Sequence, residues 1–356
     1  MRIVVAMSGG VDSSVAAALL AEQGHDVIGV SMQLYDQSGG EGSFGSCCTL
    51  EDLHDARRVA AAIGIPHYIL NFEKQFDEQV VSHFVQEYAS GRTPLPCAHC
   101  NSDLKFATLV ERARGFGADA VATGHYARVE RDARTGRYRL KRGVDAAKDQ
   151  SYFLFSLTQD QLARARFPVG DLPKDAVREY ARRRRLAVAD KPDSQEICFI
   201  PDNDYAAFVT RHAPDAPHDG LIIDEEGRVV GGHAGIHRFT VGQRKGLGLS
   251  RPPAGTPMYV LALKPAERQV VVGPKASLER TNLTASGVNW MGEESGEWRR
   301  VAAQIRHRHE AAPAAVRSRG AGCADLEFDT PQVAVAPGQA VVFYDGDTVV
   351  GGGWID

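Results

Sequence analysis

Apolar positions in the first two hundred residues alternate between two rhythms. Ile3 to Met7 is a continuous apolar run, expected of a strand buried on both faces, and Ser13 to Gln23 carries helical spacing stopped by Gly24. The alternation continues with a strand over Val27 to Met32, a helix over Glu51 to Ile63 ending at Gly64, and a strand over His67 to Asn71. A helix over Phe76 to Ser90, a loop rich in Pro and Cys, a helix over Lys105 to Phe116 and a strand over Asp119 to Thr123 follow. This is the spacing of βαβ units and predicts a mostly parallel sheet covered by helices. Tyr126 to Glu130 and Tyr138 to Arg142 flank a turn with Gly136 and predict a hairpin, before two more helices at Thr158 to Ala165 and Lys174 to Arg185. Beyond Pro201 short apolar runs separated by Gly and Pro predict an all-β region, including Met258 to Leu263, Gln269 to Val272 and Ala340 to Tyr344, with Asp345-Gly346 as a hairpin turn.

The 356 residues, 43% hydrophobic and 24% charged, are enough for two or three domains. No apolar run approaches the ~18 residues that cross a bilayer, which predicts a soluble, cytoplasmic chain without a membrane partner. A net charge of -4 gives no global attraction for nucleic acid, so any such contact needs local patches such as Arg182 to Arg185 or Ile305 to His309; a solvated helix face or barrel surface also explains either one. Six cysteines in a chain read as intracellular do not suggest a disulfide framework.

Between the first strand and first helix lies Ala6-Met7-Ser8-Gly9-Gly10-Val11-Asp12-Ser13-Ser14, where an open α/β sheet places its ligand crevice. Two glycines permit close approach of backbone N–H groups, and three serines offer hydroxyls to an anion at a helix N-terminus. The segment lacks both the Lys-Ser/Thr of a Walker loop and the G-x-G-x-x-G of a dinucleotide fingerprint. A plain Gly-rich turn capped by Asp12 or Ser13 is the bland reading. The full string resembles the PP-loop of enzymes that cleave ATP between its α and β phosphates. That resemblance implies nucleotide contact by Ala6 through Ser13 and Mg²⁺ held in part by Asp12. Met32 and Gly124, at the ends of later strands, are the expected adenosine contacts.

Cys97-Ala98-His99-Cys100-Asn101 follows Thr93-Pro94-Leu95-Pro96, whose prolines predict a loop outside helix and sheet. Cys198 lies in Asp193-Ser194-Gln195-Glu196-Ile197-Cys198-Phe199-Ile200. A lone C-x-x-C admits zinc, an iron–sulfur cluster, redox chemistry or nothing, and the adjacent Cys47-Cys48 is poor spacing for joint ligation. In order along the chain, the PP-loop, the loop cysteine followed by Asn101 and Lys105-Phe106, Lys148-Asp149-Gln150-Ser151-Tyr152-Phe153 and the Cys198 segment resemble the tRNA-specific 2-thiouridylases. The resemblance spans almost the whole chain. It implies an α/β PP-loop domain of the adenine nucleotide alpha-hydrolase-like class over residues 1–205, a small β-rich connector over 206–275 and a C-terminal β-barrel over 276–356. It further implies adenylation of the wobble uridine at tRNA position 34, with Cys198 carrying a persulfide and Cys100 resolving it through a transient disulfide. Leu95, Pro96 and Cys97 would face the base, and Lys148, Asp149, Gln150, Arg306 and His307 would meet the tRNA. A persulfide-carrying relay protein or a cysteine desulfurase would supply sulfur.

The family loop has Thr-Pro-Asn-Pro-Asp where this chain has Thr93-Pro94-Leu95-Pro96-Cys97. Cys97 thereby creates a possible three-cysteine set with Cys100 and Cys198 that could ligate a [4Fe-4S] cluster, an alternative route for the sulfur. Other PP-loop ligases, which need no paired cysteines, and a non-catalytic tRNA-binding relic of the fold remain the alternatives.

Overall fold

The computed structural model describes residues 1–35, 49–193, 197–200, 204–213, 219–249 and 257–356. The chain forms two compact units, one of Met1–Val81, Pro96–Asn203 and Asp347–Val349, the other of Ser82–Leu95, Asp204–Gly346 and Val350–Asp356.

The first unit is built on a five-stranded parallel sheet. β1 (Arg2–Ala6) lies at its centre, with β2 (Asp26–Gln33) and β3 (His67–Asn71) to one side and β4 (Ala120–Ala122) and the short Ala165–Arg166 strand to the other. Strand order therefore reverses between β1 and β4, which is the position where such sheets open a crevice at their carboxyl ends. Helix α1 (Val11–Glu22) is buried along most of its length because Val15, Ala16, Ala17, Ala18 and Leu20 leave little for water to solvate. These side chains share a core with Ile3, Val5, Val27 and with Val177 and Ala181 of the helix Lys174–Arg183. Helix α2 (Leu50–Ile63) starts in a reciprocal capping box between Thr49 and Asp52 and stops at Gly64 with φ 78°. The predicted hairpin forms from Ala127–Arg131 and Tyr138–Arg142, its turn tied by Asp132 to the Arg134 and Thr135 amides.

Two local expectations need correction. The Pro-rich segment is not a loop throughout: Pro96–His99 makes a helical turn that runs directly into a π-helical stretch, Cys100–Thr108. Proline is excluded from helix interiors by its missing N–H, but at the first helical position that N–H has no intrahelical acceptor to lose. Likewise, the helix expected from Phe76 passes through a π-helical turn over Asp77–Val81.

The second unit contains a four-stranded sheet, ordered Tyr259–Lys264, Gln269–Gly273, Gly220–Ile223 and Val229–His233, and a six-stranded barrel from Glu279–Trp290 to Thr348–Ile355. Pairing of Ala285 with Ile355 and Trp290 with Gly351 closes the barrel, around Val301, Val316, Leu326, Phe328 and Phe343. The region beyond Pro201 is not wholly β, since Tyr205–His212 is a helix capped by Asp204 onto the Ala207 amide. Its aromatic face stacks Tyr205 on Tyr88 and sets Phe208 edge-on to Phe84. Among the described residues no helix is long and apolar enough to cross a membrane.

Candidate active site

The segment from Ala6 to Ser14 turns out of β1 into α1. Gly9 takes φ 74°, and a Cβ there would collide with the backbone of Asp52, so the start of α2 lies directly against the loop. The Ser8 amide donates to Ser13 Oγ at 3.1 Å, and Ser14 Oγ donates to the Gly10 carbonyl at 2.8 Å. Met7 is held from beneath by β2, its amide donating to the Val30 carbonyl and its carbonyl accepting from Ser31 Oγ. Gly10 is the N-cap residue of α1, and no side chain caps that helix start, the end of a helix that favours an anion. Across the strand-order reversal, Gly124 follows β4, and a Cβ there would come within 2.5 Å of the Ser13 nitrogen. Met32, buried at the end of β2, pairs in register with Leu70.

Beside Gly124, the half-buried His125 accepts or donates a 2.7 Å hydrogen bond with Thr123 Oγ1 and sets its ring edge-on to Phe167. Loss of solvation, aided by the Lys105 charge, pushes its imidazole down to about 3.

Asp12, in the first turn of α1, is the centre of a charge cluster that the sequence reading left out. Its carboxylate accepts from the Tyr126 hydroxyl at 2.8 Å and from Lys174 Nζ at 2.8 and 2.9 Å. Burial first, then the Asp12 carboxylate, pushes the Tyr126 hydroxyl far above its ordinary range, so it donates as a neutral phenol. Lys174 is 7% exposed and also lies 2.8 Å from Asp193. Asp193 in turn accepts from Lys148 at 2.7 Å and from Arg178 at 2.9 Å. Burial alone would raise the Asp193 carboxyl, but the hydrogen bonds and charges of Lys148 and Lys174 hold it down to about 2. Three cations thus face two carboxylates beside the loop, leaving a surplus that suits a polyphosphate. The available signal was Lys174 itself, a cation in the first turn of a helix, where the macrodipole disfavours it.

The remaining expected residues are dispersed in role. Lys148 is engaged by Asp193. Asp149 spends both oxygens on Arg142, the Gly143 amide and Ser151. Gln150 exchanges hydrogen bonds with the Tyr126 backbone. Leu95 and Pro96 are buried and Cys97 is exposed. In the second unit Arg306 and His307 are exposed on a tight turn, Arg306 donating to the Val333 carbonyl, while desolvation and the Arg308 charge lower the His307 imidazole.

Cys100 is buried at the head of the π-helical stretch and Cys198 is half-buried, on a segment whose Phe199 packs edge-on to Phe76 with ring centres 5.5 Å apart. Among the described residues, which include Cys97, Cys100 and Cys198, no three His, Cys, Asp or Glu side chains are grouped to hold a metal ion. In this structure Cys97, Cys100 and Cys198 are thus not gathered into the set that could ligate a [4Fe-4S] cluster. Cys47 and Cys48 lie outside the described residues. Cys323 opens a barrel strand.

A parallel sheet with a Ser-Gly-Gly-x-Asp-Ser loop at its strand-order reversal defines an enzyme of the PP-loop class. Residues 1–202 match the family model described as the tRNA methyl transferase HUP domain, 206–274 its PRC-barrel domain and 280–355 an aminomethyltransferase beta-barrel domain. Full-length relatives fix the family more narrowly. The chain is 52% identical over 359 residues to a tRNA-specific 2-thiouridylase of Geotalea uraniireducens, covering 100% of this chain and 95% of that one. It is 52% identical to those of Geobacter metallireducens, covering 100% and 96%, and Solibacter usitatus, covering 99% and 99%. The chain belongs to the tRNA-specific 2-thiouridylase family.

Proposed function

We propose that this protein thiolates tRNA, using ATP to activate the 2-oxygen of the wobble uridine and a protein persulfide to replace it. The observation that carries the reading is full-length identity with 2-thiouridylases together with a PP-loop at the crevice of the sheet. Both competing ligase chemistries and a relic of the fold would leave the two cysteine segments without a purpose.

The chemistry divides into two displacements. The uridine 2-oxygen attacks the α phosphorus of ATP, the α–β bond breaks and pyrophosphate leaves. An amide-like oxygen departs poorly; as an adenylate it leaves as AMP. The loop amides and the cationic surplus of Lys148, Lys174 and Arg178 stabilise charge growing on the leaving pyrophosphate. Asp12 is the carboxylate that would help hold Mg²⁺, which when bound would neutralise charge on the pyrophosphate. The terminal sulfur of a Cys198 persulfide then attacks C2, and the C2–O bond breaks to release AMP. A Cys100 thiolate attacks Cys198 Sγ, breaking the S–S bond so that sulfur stays on the base and a Cys100–Cys198 disulfide remains. A cellular thiol reductant returns both to thiols with two electrons. The persulfide comes from a relay protein or a cysteine desulfurase.

This order makes adenylation independent of sulfur. Pyrophosphate release from ATP should require a tRNA with uridine at the wobble position, should be negligible with cytidine there, and should survive in Cys198→Ala. Release without tRNA, or with a small-molecule acceptor instead, would return the protein to the other PP-loop ligases.

A further inference from the structure

Lys174 is, among the described residues, the only lysine or arginine that is buried. Burying an ammonium is costly unless it is paired, and here Lys174 donates to both Asp12 oxygens and lies 2.8 Å from Asp193 Oδ1. The position has no local rationale, since a cation in the first turn opposes the helix dipole and Pro173 ahead of it supplies no capping side chain. What the lysine does is join two segments far apart in sequence, the first turn of α1 and the stretch leading to Cys198. Asp193 precedes Cys198 by five residues, so the separation is at most about 18 Å even if extended.

We propose that Lys174 is a positioning residue that links occupancy of the nucleotide loop to the segment bearing Cys198, through Asp12 on one side and Asp193 on the other. The inference rests on the reading of Cys198 as the sulfur carrier. Phosphate oxygens on the loop compete with both carboxylates for one shared ammonium. Asp12 then keeps only the Tyr126 hydroxyl of its present side-chain partners, whereas Asp193 keeps Lys148 and Arg178. The Cys198 segment is thus reset on its remaining cations rather than released, and presents its thiol differently with nucleotide bound.

The test uses the full chain, with Mg²⁺ and α,β-methylene-ATP, which cannot be cleaved between the α and β phosphorus. Alkylation of Cys198 by iodoacetamide is followed by peptide mass spectrometry, with exposed Cys97 as the internal reference. In wild type the analogue should change the Cys198 rate about fivefold or more, a modest coupling free energy. Lys174→Met, saturated with analogue, should lose that change, and Lys174→Arg should restore part of it; a merely structural lysine would alter the basal rate in both states alike. If Lys174→Met fails to fold or to bind the analogue, Asp193→Asn is read in its place, because it opens the link at the end away from the nucleotide. No change in wild type, or an undiminished change in the variant read, overturns the link. Formation of 2-thiouridine by the same wild-type preparation separates the two failures: thiolation without coupling sinks only the link, and absent thiolation sinks the underlying reading.

Discussion

At the scale of single residues, the cluster around Asp193 has the clearest energetic signature. Its carboxyl titrates at about 2 rather than 3.8, the cations outweighing burial. A group depressed on folding contributes stability that is complete above about pH 4 and disappears as pH falls through about 2, here about 2 kcal/mol. Asp193→Asn should therefore be less stable than wild type by about that amount in urea unfolding at neutral pH, and the gap should close in acid; a gap independent of pH would remove the ion pairs as its cause. His125 gives an independent check. With its imidazole at about 3, it should show no change in ring NMR shifts between about pH 5 and 8, and a midpoint near the ordinary 6.5 would contradict the desolvated, neutral ring. These residues also mark the limit of reading a sequence alone. Asp12 stands in a recognisable string, whereas Lys174, Asp193 and Tyr126 meet it only through tertiary folding, over separations that no local period encodes. Asp149 and Gln150 also stand in a recognisable string, but their partners Arg142 and the Tyr126 amide are again set by tertiary folding.

At the scale of elements, the nucleotide loop depends on what is packed behind it. Gly9 has a positive φ and no room for a Cβ against Asp52, so Gly9→Ala must shift either the loop or the start of α2. Binding of a fluorescent ATP analogue should fall by at least about tenfold, roughly 1.4 kcal/mol; undiminished affinity would show that the loop does not hold the phosphates. Thr49→Ala, which breaks the capping box of the same helix, should cost about 1 kcal/mol in thermal or urea unfolding. Element type was legible wherever periodicity was strong, as in β1, β2 and α2. It failed where one residue carries two meanings: Pro96 reads as a helix breaker, yet it starts a helix. The π-helical turns at Asp77–Val81 and Cys100–Thr108 could not be read from hydrophobic spacing, because stretches of 5 and 9 residues are too short to separate an i→i+5 repeat from an i→i+4 one.

At the scale of the whole molecule, alternating strands and helices followed by short β segments announced an α/β region ahead of a β-rich one, and closure of the barrel follows from pairing its first and last strands. The helix Tyr205–His212 escaped notice because its eight residues are too few to establish a period and its stabilising partners, Tyr88 and Phe84, are distant in sequence. The central claim joins the two cysteine segments to the nucleotide loop in one reaction, so the decisive measurement asks for its product. Purified protein is incubated with ATP, Mg²⁺, a persulfide source and unmodified tRNA, and the tRNA is digested and analysed for 2-thiouridine by mass spectrometry, beside Cys198→Ala and Cys100→Ala. The account predicts 2-thiouridine with wild type and none with either variant; thiolation that persists without Cys100 or Cys198, or wild type that adenylates tRNA but never yields the thiolated base, would contradict it.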